Sequence, residues 1–232
     1  MRCRPRVASG AAVSPGQTLL TVEGRARAVF AAERTALNCL MHLSGIATLT
    51  RAYVDRVRGT RAAILDTRKT LPGLRALQKY AVRAGGGHSH RADLSQAVLI
   101  KTNHLRALRG GKFGVRNAEF GTTIQEAITR AKRLHPRRFV EIEVANMREF
   151  TAALRARPDA MLLDNWSLRN IKRAVRLRDA AFRTPHSALP LEVSGGVTLD
   201  NVRAIARTGV DRLSIGRLTH SAPSLDCSLQ VM

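Results

Sequence analysis

From residue 60 onward the chain alternates between two kinds of segment, and this alternation limits its fold more than any other feature. Short apolar runs recur at 62–66 (AAILD), 97–101 (AVLIK), 139–144 (FVEIEV), 160–164 (AMLLD), 191–195 (LEVSG) and 211–216 (DRLSIG). Between most of them lie segments of helical periodicity, at 74–84, 123–134, 147–155, 167–180 and 199–208. Thr122 or Thr123 marks one helix start, and Asp200 sits in the first turn of the segment from Thr198. The runs are continuous, as expected for parallel strands covered on both faces. Repeated strand–helix units imply an α/β fold with a parallel sheet, either open or closed into a barrel.

A polar residue closes nearly every run. Asp66 is followed by Arg68 and Lys69; Lys101, Glu143 and Asp164 end the next three; Ser194-Gly195-Gly196 and Gly216 end the last two. In a (β/α) barrel those ends converge on one face, where the active site lies. Strands also end in polar residues simply because they reach the surface. That explains one or two of these, but not a set that mixes cations, carboxylates and glycines as a phosphorylated, metal-bound substrate requires.

Residues before 60 differ. The stretch VSPGQTLLTVEGRARAVF reads as a turn, a strand and a turn leading into a helix. A long helical run follows from about 31 to 57, with Leu37, Leu40, Met41 and Ile46 on its apolar side.

Composition narrows the class. With 232 residues, 44% hydrophobic and 24% charged, the chain can bury a core and is not a disordered polymer. No apolar run approaches the roughly 20 residues that span a bilayer, and no secretory signal is expected at the N-terminus. Cys3, Cys39 and Cys227 lack metal-ligand spacing and read as ordinary cytosolic thiols, so a cytoplasmic location is expected. The net charge of +22, mostly arginine, fits a small anionic substrate, a solvated arginine-rich surface or nucleic acid. With aromatics at 4% and no helix-turn-helix or zinc finger, nucleic acid is the minor alternative.

The strand ends suggest chemistry. Arg68 and Lys69 are adjacent on a loop and should diverge toward two different anions. Arginine suits bidentate recognition and lysine a point charge. Gly85-Gly86-Gly87 permits close backbone approach before His88, His90 and Arg91. No carboxylate or cysteine partner is evident for His88 or His90, so neither is expected to ligate a metal. His104 is equally readable as structural or catalytic. Glu143 and Asp164 suit an acid–base pair or Mg²⁺ and hydroxyl binding. Glu141 stands two residues before Glu143, and only one of the two is expected to point into the barrel. Ser194-Gly195-Gly196 with Ile215-Gly216 resembles a barrel phosphate site. No P-loop, GxGxxG or Ser-His-Asp arrangement is present.

Across residues 15–230, in order, a series of segments resembles quinolinate phosphoribosyltransferase. They are ERTALN (33–38), LSGIAT (43–48), DTRKT with PGLR (66–75), KYAVR with GGG and HR (79–91), AVLIK with NH (97–104), EIEV (141–144), LLDN (162–165), SGG (194–196) and LTHSA (218–222). The resemblance implies an incomplete (β/α) TIM-like barrel at 41–220. It also implies the remnant of an N-terminal open-faced α/β sandwich at 1–40, with 221–232 packing on it, in a homodimer or higher oligomer. It implies transfer of phosphoribose from phosphoribosyl pyrophosphate to quinolinate, with Mg²⁺, giving nicotinate mononucleotide, pyrophosphate and CO₂. Carried over by motif, Arg34 (from a second subunit), Arg68, His90, Arg91 and Lys101 would bind quinolinate. Lys69 and Lys101 would face pyrophosphate, and Glu143 and Asp164 the ribose and Mg²⁺. Ser194, Gly195, Gly196 and Gly216 would take the 5′-phosphate, with His220 near the subunit contact.

The chain departs from the family pattern at four places. The sandwich domain is expected to be short, leaving sheet edges uncovered. Ser89 replaces the usual Asn, Thr102 the usual Asp, and Ser95-Gln96 the usual Tyr-Asp pair. These changes keep two alternatives open: a molybdenum-utilisation paralogue with another substrate, and an inactive homologue that keeps the barrel.

Overall fold

In a computed structural model the six apolar runs form one parallel sheet, and they do so by sorting their side chains. The structure describes residues 1–109, 120–182 and 189–231, without the side chains of Arg109, Phe120 and Thr122. Met232 falls outside the described residues. The strands of the large sheet are β3 (Ala63–Leu65), β4 (Ala97–Ile100), β5 (Phe139–Val144), β6 (Ala160–Asp164), β7 (Leu191–Ser194) and β8 (Arg212–Ser214), in the order β3-β8-β7-β6-β5-β4. Alternate residues Ile64, Ile100, Val140, Ile142, Val144, Met161, Leu163, Leu191, Val193 and Leu213 are buried in one core with helix residues such as Phe150, Ile171, Ala174 and Val202. The intervening positions carry Glu141, Glu143, Glu192, Ser194 and Ser214, which share the opposite, inner face.

β3 and β4 lie at the two ends of the sheet and do not pair, so the barrel stays open. The glycine-rich segment fills part of the gap. His88 N–H donates to Ile64 O at 2.8 Å, and Asp66 N–H to His88 O at 3.1 Å. His90 is thereby carried along the C-terminal end of β3.

The helices between strands are α2 (Arg75–Ala84), α3 (Thr102–Arg109), α4 (Phe120–Leu134), α5 (Met147–Ala156), α6 (Leu168–Phe182), α7 (Val202–Ala206) and α8 (Arg217–His220). α4 begins upstream of both threonines expected to mark its start. α7 starts later than the sequence suggests, because Thr198 and Asn201 first close a turn on one another: Thr198 N–H donates to Asn201 Oδ1 at 2.9 Å.

α1 is a single helix, Ala26–Val57, preceded by a hairpin of β1 (Arg2–Pro5) and β2 (Leu20–Glu23). Its C-terminal half packs on the barrel through Ile46, Thr50, Tyr53 and Val57. Its N-terminal half stands clear, with Leu37, Leu40 and Met41 half-buried and Phe30 exposed. The C-terminal segment crosses α1 where Gly45 leaves room: a Cβ there would sit 1.9 Å from Pro223 O. Leu225 N–H donates to Met41 O at 3.0 Å beside it.

Candidate active site

The strand ends collect three groups of functional side chains, arranged around the inner face. The first is basic. Arg68 and Arg91 lie close enough that Arg91 is held below its ordinary range, first by burial and then by the Arg68 charge. The Arg91 guanidinium is fixed by a hydrogen bond of 2.9 Å to Ala97 O. Lys101 extends into solvent, with Nζ 3.7 Å from Glu143 Oε2.

Arg68 and Lys69 diverge as their adjacency on a loop predicts. Arg68 lies near enough to lower Arg91, whereas the Lys69 aliphatic chain passes Gly216, where an added Cβ would lie 3.1 Å from Lys69 Cδ and 3.2 Å from His220 Nε2. The Lys69 backbone is tied to the same place, since Thr219 Oγ1 donates to Lys69 O at 2.7 Å. His220 lies exposed, its Nδ1 2.6 Å from Ser221 Oγ.

The second group is the glycine cradle. Ser194 Oγ reaches Ser214 O at 3.4 Å, tying the ends of β7 and β8 together. Gly195 and Gly196 follow with φ of 81° and 63°. Only glycine fits at 195, because a Cβ would lie 2.1 Å from Asn165 Oδ1. Asn165, Trp166, Leu168, Gly195, Gly196 and Asn201 line a shallow cavity of about 220 Å³ beside this turn.

The third group is acidic. Glu143 is buried and accepts from Thr102 Oγ1 at 2.8 Å and Thr102 N–H at 3.2 Å. Asp164 ends the neighbouring strand and accepts from Asn165 Nδ2 at 3.1 Å. Glu141 also faces inward, contrary to the expectation that only one of Glu141 and Glu143 would. Residues two apart on a strand share a face, so both must point the same way.

His90 joins these groups. Its Nε2 lies 3.1 Å from Glu141 Oε2 and 3.4 Å from Glu192 Oε1. Burial opposes a charged ring, but the hydrogen bonds and charges of Glu141 and Glu192 outweigh it and push His90 up to about 9. Burial and the Glu192 charge push Glu141 above its ordinary value. The expectation that His90 lacks a carboxylate partner is thus overturned. Its partners come from β5 and β7, which only the curl of the sheet brings within reach.

Other residues prove structural. Asp66 points away from the inner face, is fully buried, forms a buried ion pair with Lys79 and accepts His90 N–H at 2.9 Å. It anchors the His90 backbone rather than serving the site directly. His104 Nδ1 accepts the Lys101 N–H at 3.1 Å, a local role. Arg34 stands exposed on α1 and makes no hydrogen bond or ion pair among the described residues. Glu192 was not a candidate from the sequence. Its signal was a carboxylate on the inner-facing parity of an apolar strand, where burial demands a partner.

An open parallel barrel with a glycine cradle after its last two strands and a basic pocket beside it is the architecture of a barrel enzyme for an anionic, phosphorylated ligand. Comparison with known proteins makes this specific. Quinolinate phosphoribosyl transferase, C-terminal domain, matches residues 46–230, and quinolinate phosphoribosyl transferase, N-terminal domain, matches 1–44. The chain belongs to the quinolinate phosphoribosyltransferase family. It is 46% identical over 226 residues to the nicotinate-nucleotide pyrophosphorylase [carboxylating] of Mycobacterium leprae, covering 97% of this chain and 74% of that one. It is 42% identical to a probable enzyme of that name from Methanocaldococcus jannaschii, covering 92% and 72%. The nicotinate-nucleotide pyrophosphorylase structure from Francisella tularensis superposes with a TM-score of 0.86 at 37% identity, covering 100% of this chain and 75% of that one.

Proposed function

We propose that this chain transfers phosphoribose from phosphoribosyl pyrophosphate to quinolinate and releases CO₂, giving nicotinate mononucleotide and pyrophosphate for NAD biosynthesis. One observation carries the reading most strongly: neighbouring cations on one loop lie beside different groups. Arg68 joins Arg91 on the side that suits a dicarboxylate, and Lys69 joins Gly216 and His220 on the side that suits phosphate.

The chemistry follows from that division. Arg68, His90, Arg91 and Lys101 hold the two quinolinate carboxylates, so that the ring nitrogen faces the anomeric carbon. Ser194, Gly195, Gly196 and Gly216 hold the 5′-phosphate through backbone N–H groups. As pyrophosphate leaves, Glu143 and Asp164 offset the positive charge that develops on the sugar, while Lys69 and Lys101 offset the negative charge on the leaving group. The ribosylated nitrogen then draws electrons from the adjacent C–CO₂⁻ bond, and CO₂ departs.

The oxygen donors of Glu143 and Asp164, on neighbouring strand ends, suit Mg²⁺, which binds one or two carboxylates together with substrate oxygens. Bound there, Mg²⁺ would neutralise charge on the diphosphate. Arg34, exposed and unpaired among the described residues, supports a dimer in which it serves the site of a second copy. No helix among the described residues is long and apolar enough to cross a membrane. The scattered free thiols support a cytoplasmic enzyme.

The test is turnover of quinolinate and phosphoribosyl pyrophosphate with Mg²⁺, followed as nicotinate mononucleotide, with Arg68→Ala as control. Product from the wild type alone supports the reading. A folded, inactive wild type overturns it and directs attention to Ser89, Ser95-Gln96 and Thr102.

A further inference from the structure

His90 is held from below by two side chains that the family motifs do not assign. Glu141 and Glu192 are 2% and 0% exposed, and both meet Nε2 of the ring. Among the described residues, Glu141 Oε1 and Glu192 Oε2 have no hydrogen-bond partner, and Glu192 Oε1 has only the 3.4 Å approach of His90 Nε2. Two buried carboxylates are costly without a compensating charge. The proton on His90 is the nearest one, and Arg212 on β8 adds positive potential at Glu141.

The other edge of the ring faces Arg91, whose backbone N–H lies 2.8 Å from Nδ1. That N–H needs a lone pair on Nδ1, which puts the ring's proton on Nε2, between the glutamates. A protonated Nε2 has no lone pair for a metal. His90, Glu141 and Glu192 therefore do not form a metal site, although their ligand atoms lie within 4.8 Å of one another. The His90 backbone is equally fixed: Asp66 accepts its N–H at 2.9 Å, and Lys79 Nζ donates to its carbonyl at 3.3 Å. Of the three side chains only His90 retains some exposure, 12% against 3% and 0%. A ligand entering the pocket meets the ring and not the carboxylates.

We propose that Glu141 and Glu192 are positioning residues for the quinolinate site: by clasping Nε2 they present Nδ1 of His90, together with the Arg91 N–H, to one substrate carboxylate and keep the ring cationic when that carboxylate binds. With a single proton the ring keeps it on Nε2 and Nδ1 accepts the Arg91 N–H. Below about pH 9 the ring carries a second proton on Nδ1, so Nδ1–H and the Arg91 N–H are two adjacent donors that share one carboxylate. The ring basicity this requires is present, since the glutamates push His90 up to about 9. The proposal rests on the quinolinate reading and deepens it.

The test uses the full chain and its Glu141→Gln and Glu192→Gln variants, with circular dichroism to confirm folding. Imidazole ¹⁵N spectra follow the protonation of His90, and KM is measured for each substrate. Each variant is expected to lower the pH at which His90 loses its proton by about 1–3 units, the size of a lost neighbouring charge. KM for quinolinate is expected to rise about tenfold for each pH unit by which the assay exceeds the lowered titration point, with KM for phosphoribosyl pyrophosphate unchanged. In the wild type, quinolinate but not pyrophosphate should raise the pH at which Nδ1 loses its proton, a readout that needs neither variant to fold. An unmoved His90 titration in folded variants overturns the proposal, as do equal changes in both KM values. So does stoichiometric Zn²⁺ or Mn²⁺ binding by the wild type that Glu192→Gln abolishes. Absence of turnover in the wild type would instead sink the functional reading, a distinguishable result.

Discussion

Two buried charge clusters sit at opposite levels of the same sheet, and they are built to different rules. At the N-terminal ends of β7 and β8, Arg178 is 1% exposed and every donor direction it uses is answered. Its guanidinium donates to Asp179 Oδ1 at 2.8 Å, Asp211 Oδ2 at 2.7 Å and Gly209 O at 3.1 Å. Asp211 in turn accepts Leu191 N–H at 2.9 Å and pairs with Arg61. Within the barrel, Glu141 Oε1 and Glu192 Oε2 lack a hydrogen bond among the described residues, and Glu192 Oε1 has only a 3.4 Å approach to His90. The lower cluster is closed and holds strands together. The upper one is incomplete and faces a pocket. A buried charge network that is fully answered stabilises a fold, whereas one with spare capacity marks where a ligand or proton is handled.

The largest expected effect would test the lower cluster. Arg178→Met strips the partly buried Asp211 of its buried partner, leaving it Arg61, and should lower stability by about 3 kcal/mol. Urea unfolding measures this, and a loss under about 1 kcal/mol would erase the contrast between the clusters. Gly195→Ala comes next. Its Cβ would collide with Asn165 Oδ1 at a φ of 81°, so strain of about 1–3 kcal/mol should appear in stability, in KM for phosphoribosyl pyrophosphate, or in both. Unchanged values for both would show that the cradle is not rigid.

A third measurement sharpens the view of the upper cluster. His90 binds its proton more tightly in the folded chain than at its ordinary 6.5, up to about 9. Its contribution to stability should be complete below pH 6.5 and vanish as pH rises through about 9. Urea midpoints across that window should fall with pH in the wild type and flatten in His90→Asn. The smallest effect belongs to Thr102→Val, which removes a hydroxyl donor to Glu143 and should cost about 1 kcal/mol. A several-fold loss in kcat with unchanged KM for quinolinate would place that effect on the ribose side.

Much of this architecture was legible beforehand. Runs such as AMLLD and FVEIEV announced parallel strands, and the residues that end them announced a site, because strand and helix periods are local properties of the chain. The β1 strand was not legible: RCRP is short, polar and exposed, and pairs only because Leu20–Glu23 lies antiparallel to it. Helix boundaries shifted where capping was absent or tertiary. Arg25 makes no side-chain cap, yet α1 begins there, five residues before the periodic pattern suggests.

The order of strands and helices, the glycines of the cradle and the split between Arg68 and Lys69 were determined by the sequence alone, since each depends on neighbours a few residues away. The union of His90 with Glu141 and Glu192 was decided by tertiary structure. Those residues are separated by 51 positions in each step along the chain (90, 141 and 192), and no local rule links them. They meet because an open sheet twists until the inner faces of β5 and β7 approach the strand-like segment beside β3. Burial then leaves two carboxylates no nearer source of positive charge than one imidazole.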